Sequence, residues 1–374
     1  MANLIDYLEW RGDIPFAVDP FNEVDGLLLA VLAYMDFGNV SSDGTAVSIQ
    51  GVYKEFLKKH TREEISARGS NTAKAALILG EMCKGMRFRN TKLCYYINDI
   101  DREEDAQISA VTSLLDDGTA YVAFRGTDRS LVGWKEDFNL FYLSETGGQR
   151  RAKSYLNEVG ASLGRKLRVG GHSKGGNFAV YAASFCDEPI QSEIIEVYSF
   201  DGPGFRKDII DSDGYKRILP KIISIVPDTS VVGMLLSSAS IHRVVKSTAV
   251  GILQHDGFTW AVCRNRFIQA PMSEMGRLIQ RTMGGWLEQI DNETRQSLTN
   301  TIFSLLEATG QDTFDSISEQ KWKSAAAMIT SMAGLPKEKR QELLRLVGKL
   351  IQSGGQSAAF YLPRKIYRKT SGKR

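Results

Sequence analysis

The spacing of apolar positions changes twice along the chain. Val24, Leu27, Leu28, Val31, Leu32 and Met35 recur three and four apart, which predicts a helix with an apolar face. Gly38 and Ser41-Ser42-Asp43-Gly44 end it. Shorter helices are expected over Val52–Lys58 and Asn71–Cys83, and Thr61-x-x-Glu64 fits a capping box. From Lys92 the pattern becomes that of strands, at Leu93–Ile97, Gln107–Leu115 and Thr119–Phe124, with Asp116-Asp117-Gly118 as a hairpin signal. A helix over Gly148–Leu163, a strand at Lys166–Val169 and a helix over Asn177–Phe185 follow. Strands at Ile194–Phe200 and Lys221–Val226 continue the alternation. That order predicts an α/β class with a mostly parallel central sheet and helices on both faces. Ile241–Val245 and Phe258–Val262 are read as extending the sheet. After Pro271 only helices are expected, over Met272–Ile290, Asn292–Ala308, Ser318–Met332 and Pro336–Ile351.

This pattern divides the 374 residues into a helical N-terminal extension (1–90), a core (91–270), a helical region (271–360) and a basic tail (361–374). A net charge of +3 gives no reason to expect nucleic acid as a partner. The tail carries Arg364, Lys365, Arg368, Lys369, Lys373 and Arg374 without an acid and reads as a disordered segment, with peripheral contact to an anionic membrane as the functional alternative. The start of the chain lacks a basic-then-apolar signal pattern, and the longest apolar run, Gly26–Met35, is shorter than the roughly 20 residues of a spanning helix. A cytoplasmic protein is therefore expected. Cys83, Cys94, Cys186 and Cys263 have no metal-ligand spacing and read as reduced core residues. The acidic stretch Asp99–Asp105 lacks the glycine and spaced ligands of a calcium loop and reads as a solvated turn. Neither a metal nor a cofactor is expected, and the oligomeric state is left open.

The candidate chemistry centres on Val169-Gly170-Gly171-His172-Ser173-Lys174-Gly175-Gly176-Asn177. Gly171-x-Ser173-x-Gly175 between a strand and a helix is the pattern of a nucleophile elbow. The glycines remove the Cβ atoms that would strike neighbouring elements, and Ser173 is held at the positive end of a helix. A serine hydroxyl needs a base, and the base needs a carboxylate. Of the four histidines, His60 reads as a surface residue and His172 should point into the body. His242, beside Arg243 and Lys246, offers no site where an imidazolium is favoured. His255, in a loop entering a strand, is the preferred base. For the acid, Asp228 and Asp201 each follow a strand, and both keep the order Ser–Asp–His. The oxyanion donors are expected from the amide of Lys174 and from Thr127, whose hydroxyl is also on offer.

These segments resemble the fungal-type (class 3) lipases. Ala123-Phe124-Arg125-Gly126-Thr127 with Gly133-Trp134-Lys135-Glu136-Asp137 is similar to their oxyanion segment, and Gly171-His172-Ser173-Lys174-Gly175-Gly176 to their elbow. Ser199-Phe200-Asp201-Gly202-Pro203 resembles a strand and turn that carry no triad member there, and Val226-Pro227-Asp228 the segment bearing the acid. His255 with Trp260 downstream is similar to the segment of their base. The resemblance spans roughly residues 92–265 and identifies the chain with a bacterial branch of lipase-like hydrolases. It implies an α/β-hydrolase fold, a triad of Ser173, Asp228 and His255, and oxyanion residues Thr127 and Lys174. The lysine at 174, where leucine is usual, departs from the pattern and suggests a substrate with an anionic group. The expected activity is hydrolysis of a small-molecule ester or lipid. The alternatives are a silent lipase-like fold serving as a membrane- or partner-binding module, and an amidase or peptidase using the same triad. Val231–Leu236 is a candidate pocket lining or lid.

Overall fold

A strand buried on both sides requires a helical layer on each, and Ala120–Phe124 is such a strand, with every residue buried. In the computed structural model Tyr121 and Ala123 join one hydrophobic core, while Val122 and Phe124 join another. Alternating side-chain direction along a strand produces this division. The structure describes residues 1–61, 71–128, 130–288, 290–313, 316, 320–337, 340–341 and 345. The capping box at Thr61–Glu64, most of the helix expected over 336–351 and the basic tail lie outside the described residues.

The sheet has eight strands among the described residues, in sequence order: β1 (Val47–Ser48), β2 (Lys92–Asp101), β3 (Ala106–Leu114), β4 (Ala120–Phe124), β5 (Leu167–His172), β6 (Ile194–Phe200), β7 (Ile222–Pro227) and β8 (His242–Val245). Pairing is antiparallel from β1 to β4 and parallel from β4 to β8. Phe258–Val262 does not extend the sheet. Gly257–Thr259 is a 3-10 turn, and Val262–Cys263 pairs with Arg266–Phe267 in a separate ribbon.

On one face lie α1 (Leu4–Arg11), α2 (Glu23–Leu32), α3 (Ile49–Lys59) and α4 (Asn71–Met82), which share a core with Tyr121, Tyr198 and Phe200 of the sheet. Asn22 starts α2 with a capping box to Asp25. All residues from Val24 to Leu32 are buried, more than a single apolar stripe requires, because the sheet lies beneath α2 and other helices surround it. Arg87 grips the buried Asp25 through Nε at 2.8 Å and Nη2 at 2.5 Å, and donates to the carbonyls of Ile14, Asp19 and Pro20. The N-terminal helices are thus one layer of the fold.

On the other face, α5 (Leu131–Asn139) precedes α6 (Gly147–Leu163) and α7 (Lys174–Phe185), whose Leu156, Val159, Phe178 and Ala182 pack on Val122, Val169 and Val197. Among the described residues the sheet is followed by α8 (Glu274–Glu288), α9 (Asn292–Glu307) and α10 (Lys321–Gly334). The sheet, its two helical layers and the strand–turn–helix at Ser173 make this an α/β-hydrolase fold with helical additions. Among the described residues no helix is long and apolar enough to cross a membrane.

Candidate active site

β5 ends at His172 and α7 begins at Lys174, so the chain reverses at one residue. Ser173 takes φ 59° and ψ −133°, a conformation that costs an L-residue on the order of 1–3 kcal/mol. Its N–H donates to the Phe200 carbonyl at 2.9 Å, and its carbonyl accepts from Gly176 N–H at 2.8 Å. A Cβ at Gly171 would lie 2.3 Å from the carbonyl carbon of Gly175, and one at Gly175 would lie 2.1 Å from the Phe124 oxygen. Backbone meets backbone at both places, so no side chain fits.

His255 Nε2 lies 3.0 Å from Ser173 Oγ, and its Nδ1 lies 2.6 Å from Asp201 Oδ2. The three groups form one hydrogen-bonded chain, from Ser173 Oγ–H to Nε2 and from Nδ1–H to the carboxylate. Asp201 is wholly buried, and its other oxygen accepts from the Ser230 hydroxyl. The residue follows β6 directly at φ 51°, a left-handed conformation that aspartate tolerates better than most residues. Its N–H is held by the Ile225 carbonyl at 2.8 Å.

This corrects the choice of Asp228. That carboxylate is half-buried and accepts the N–H of Ser273, just before α8, so it anchors the start of the C-terminal helices. The turn carrying Asp228 nevertheless supports the site. Thr229 N–H donates to Gln254 Oε1 at 3.1 Å, and buried Trp260 donates from Nε1 to the Gln254 carbonyl at 2.8 Å. These bonds hold the loop on which His255 stands.

His172 points into the body as expected, but it also belongs to the site. Its Nε2 lies 2.7 Å from the His255 carbonyl and its Nδ1 3.1 Å from the Tyr34 hydroxyl. A carbonyl can only accept, so these partners assign the proton to Nε2 and make Nδ1 the acceptor from Tyr34. Burial, and then the neighbouring His255, push the His172 pKa down to about 4, so the ring is neutral. The two imidazoles lie 4.7 Å apart, centroid to centroid. Tyr34 comes from the segment after α2, a contact with no signal in the local sequence. His242 lies elsewhere, its Nδ1 2.8 Å from Ser224 Oγ, and burial lowers its pKa.

Thr127 and Ser173 line the same cavity. The Thr127 hydroxyl donates to Asp137, which leaves the amide as the oxyanion candidate at that residue. Burial pushes the Asp137 carboxyl up to about 6, against the opposing effects of Lys174 and the Thr127 bond. The Lys174 amide opens α7 at its positive end.

The Lys174 side chain corrects a second expectation. Its ammonium is fully buried, 2.9 Å from Glu136 Oε2, 3.0 Å from Gln107 Oε1 and 3.3 Å from the Gly133 carbonyl. Glu136 also accepts from Gln107 N–H, Thr146 Oγ1 and Gly148 N–H at 2.9, 3.0 and 2.7 Å. The charge is spent inside the protein and offers nothing to an anionic substrate.

A cavity of about 1510 Å³ opens on Ser173 and His255. Leu131, Phe138, Val231, Leu235, Ile252 and Leu298 give it apolar walls, so Val231–Leu236 does contribute lining. Among the described residues no cluster of His, Cys, Asp or Glu is arranged to hold a metal. All four cysteines are free, and Cys263 is exposed, unlike the core position expected for it.

The model of the Mbeg1-like family matches residues 82–304, more than half of the chain. No curated protein matches. Among solved structures, the Rhizomucor miehei lipase propeptide complex is 16% identical at a TM-score of 0.36, with 59% of this chain and 86% of that one covered. Lipase II from Rhizopus niveus is 17% identical at a TM-score of 0.33, covering 54% and 82%. Lip2 lipase from Yarrowia lipolytica is 15% identical at 0.31, covering 50% and 73%.

Proposed function

The chain belongs to the Mbeg1-like family, and from that premise we propose that it is a serine hydrolase of carboxylic esters with apolar acyl groups. The observation that carries this reading is the continuous chain from Ser173 through His255 to Asp201, at 3.0 and 2.6 Å. Ser173 Oγ attacks the acyl carbonyl while His255 Nε2 takes its proton. Asp201 fixes the tautomer of His255 and stabilises the imidazolium that forms. His255 then protonates the leaving alcohol, and a water activated by the same imidazole releases the acyl group from Ser173.

The negative oxygen of the tetrahedral intermediate is assigned to the amides of Lys174 and Thr127. Supporting this, Lys174 is the first residue of α7, and a Cβ on Gly126, next to Thr127, would lie 3.0 Å from Ser173 Cβ. The apolar cavity walls favour a hydrocarbon acyl group. Ser173→Ala should abolish turnover of short nitrophenyl esters while leaving the circular dichroism spectrum unchanged. Turnover retained by that variant overturns the proposal.

A further inference from the structure

Building on the ester-hydrolase reading, we propose that α9 and the strap after it, residues 292–313, form the far wall of the acyl pocket. Leu298 and Ile302 then set the longest acyl chain accepted.

The cavity that exposes Ser173 is also lined by Leu298, Ile302 and the strap Gly310–Thr313. Its volume of about 1510 Å³ exceeds the ~300–1,000 Å³ of most small-molecule sites, so an extended chain has room to run toward α9. Leu298 is buried and Ile302 half-buried, with Met332 and Leu335 packed behind them. The wall is therefore backed by a second helical element. Neither side chain carries a polar group, so at residues 298 and 302 the wall discriminates by size, while Gln311 and Thr313 of the strap line the same cavity.

The segment is also seated on α5. Phe303 meets Phe138 edge-on at 5.5 Å and 74°, and Arg295 Nη1 donates to the Phe141 carbonyl at 2.9 Å. Leu131 N–H donates to the Asp312 carbonyl at 2.9 Å, and Ser130 bridges to Thr313. Lys135 lies 3.0 Å from Asp105 and 3.8 Å from Glu307. The Arg102–Asp312 pair, at 3.0 Å, is exposed and adds little. Backbone bonding and ring packing hold the wall in place, and α5 belongs to the same stretch of chain as Thr127. An apolar pocket distinguishes one methylene by roughly 10–200-fold, so modest bulk at residue 302 should register strongly.

The test is kcat/KM for nitrophenyl esters from acetyl to palmitoyl in the wild type and in Ile302→Met, Ile302→Phe and Ile302→Trp. A displacement assay runs in parallel, using a fluorescent long-chain fatty acid competed by saturated acids of increasing length. The proposal expects the longest accepted chain to shorten in the order Ile, Met, Phe, Trp. The long-to-short ratio should fall at least tenfold in the tryptophan variant, with turnover of the acetyl ester reduced far less than that of the palmitoyl ester. Met and Phe keep the series readable if Trp does not fold. An unchanged length profile in folded, active variants overturns this inference alone. A wild type that cleaves no ester of any length overturns the hydrolase reading together with it.

Discussion

The turns after β6 and β7 look alike in sequence and differ in what they do. Each places an aspartate just beyond the carboxyl end of a parallel strand, and each precedes His255. Asp201 is wholly buried, left-handed at φ 51° and bound to both His255 and Ser230. Asp228 is half-buried and bound to the Ser273 amide. Ser230 belongs to the β7 turn, yet its hydroxyl serves the carboxylate on the β6 turn. Chain order and strand-end position thus nominate candidates, whereas backbone handedness and hydrogen-bond partners decide between them.

The sharpest way to break this comparison is to neutralise each aspartate in turn. Asp201→Asn should lower kcat by about 10⁴-fold, because an amide facing Nδ1 favours the wrong tautomer. Asp228→Asn should stay within a few-fold of wild type, since the amide oxygen still accepts the Ser273 N–H. Steady-state ester kinetics decide it, and the reverse pattern would restore Asp228 as the acid. Glu136 extends the comparison to a buried carboxylate with no part in proton transfer. Lys174→Met strands that charge and should cost about 3–5 kcal/mol in urea unfolding. Lys174→Met combined with Glu136→Gln should recover part of the loss, because the amide removes the stranded charge while its oxygen can still accept from Thr146 Oγ1 and Gly148 N–H. Equal losses in the single and double variants would contradict this account of the pair.

A further test asks whether the His255 loop is held from behind by His172. The folded pKa of His172 is pushed down to about 4 from an ordinary 6.5. The folded state therefore binds fewer protons between those values. Its contribution is complete above about pH 6.5 and is lost as pH falls toward 4. At about 1.4 kcal/mol per pKa unit, the loss amounts to about 3 kcal/mol. Unfolding of the wild type at pH 8 and pH 4.5 should show it, and His172→Gln should show a correspondingly flatter acid limb. The same slope in both proteins would exclude His172 as a source. An effect smaller than that of Asp201→Asn is expected from Ser230→Ala, which removes one hydrogen bond to the buried carboxylate. It should lower kcat/KM roughly 10–150-fold, in line with roughly 1.5–3 kcal/mol for a hydrogen bond to a charged group. An unchanged value would detach the β7 turn from the site.

Much of the fold was legible from the sequence because its signals are local. The apolar run through Thr119–Phe124, the hairpin at Asp116-Asp117-Gly118 and the glycines around Ser173 each act over a few residues. The strand–turn–helix at Ser173 is legible for the same reason, and His255, picked out by its loop, does lie beside Ser173 Oγ. Phe258–Val262 misled because its apolar residues contact the core through a 3-10 turn and a short ribbon, where strand-like composition is equally well accommodated. The carboxylate that meets His255 is not legible, because nothing nearby marks Asp201 as left-handed. Its partners, Ser230 and His255, lie 29 and 54 residues away. The burial of Lys174 is illegible for a related reason, since Glu136 stands 38 residues off and the lysine alone looks like a charge beside the elbow, open to an anionic substrate. Tyr34, at 138 residues from His172, is the extreme case.

The account stands on Ser173 being made reactive by His255 and Asp201. Its most direct test is labelling by a fluorophosphonate, followed by intact mass and peptide mapping, in wild type, Asp201→Asn and Asp228→Asn. The account predicts one adduct on Ser173, formed at matching rates in wild type and Asp228→Asn and much more slowly in Asp201→Asn. A folded wild type with Ser173 unmodified, or labelling lost in Asp228→Asn and kept in Asp201→Asn, would contradict it.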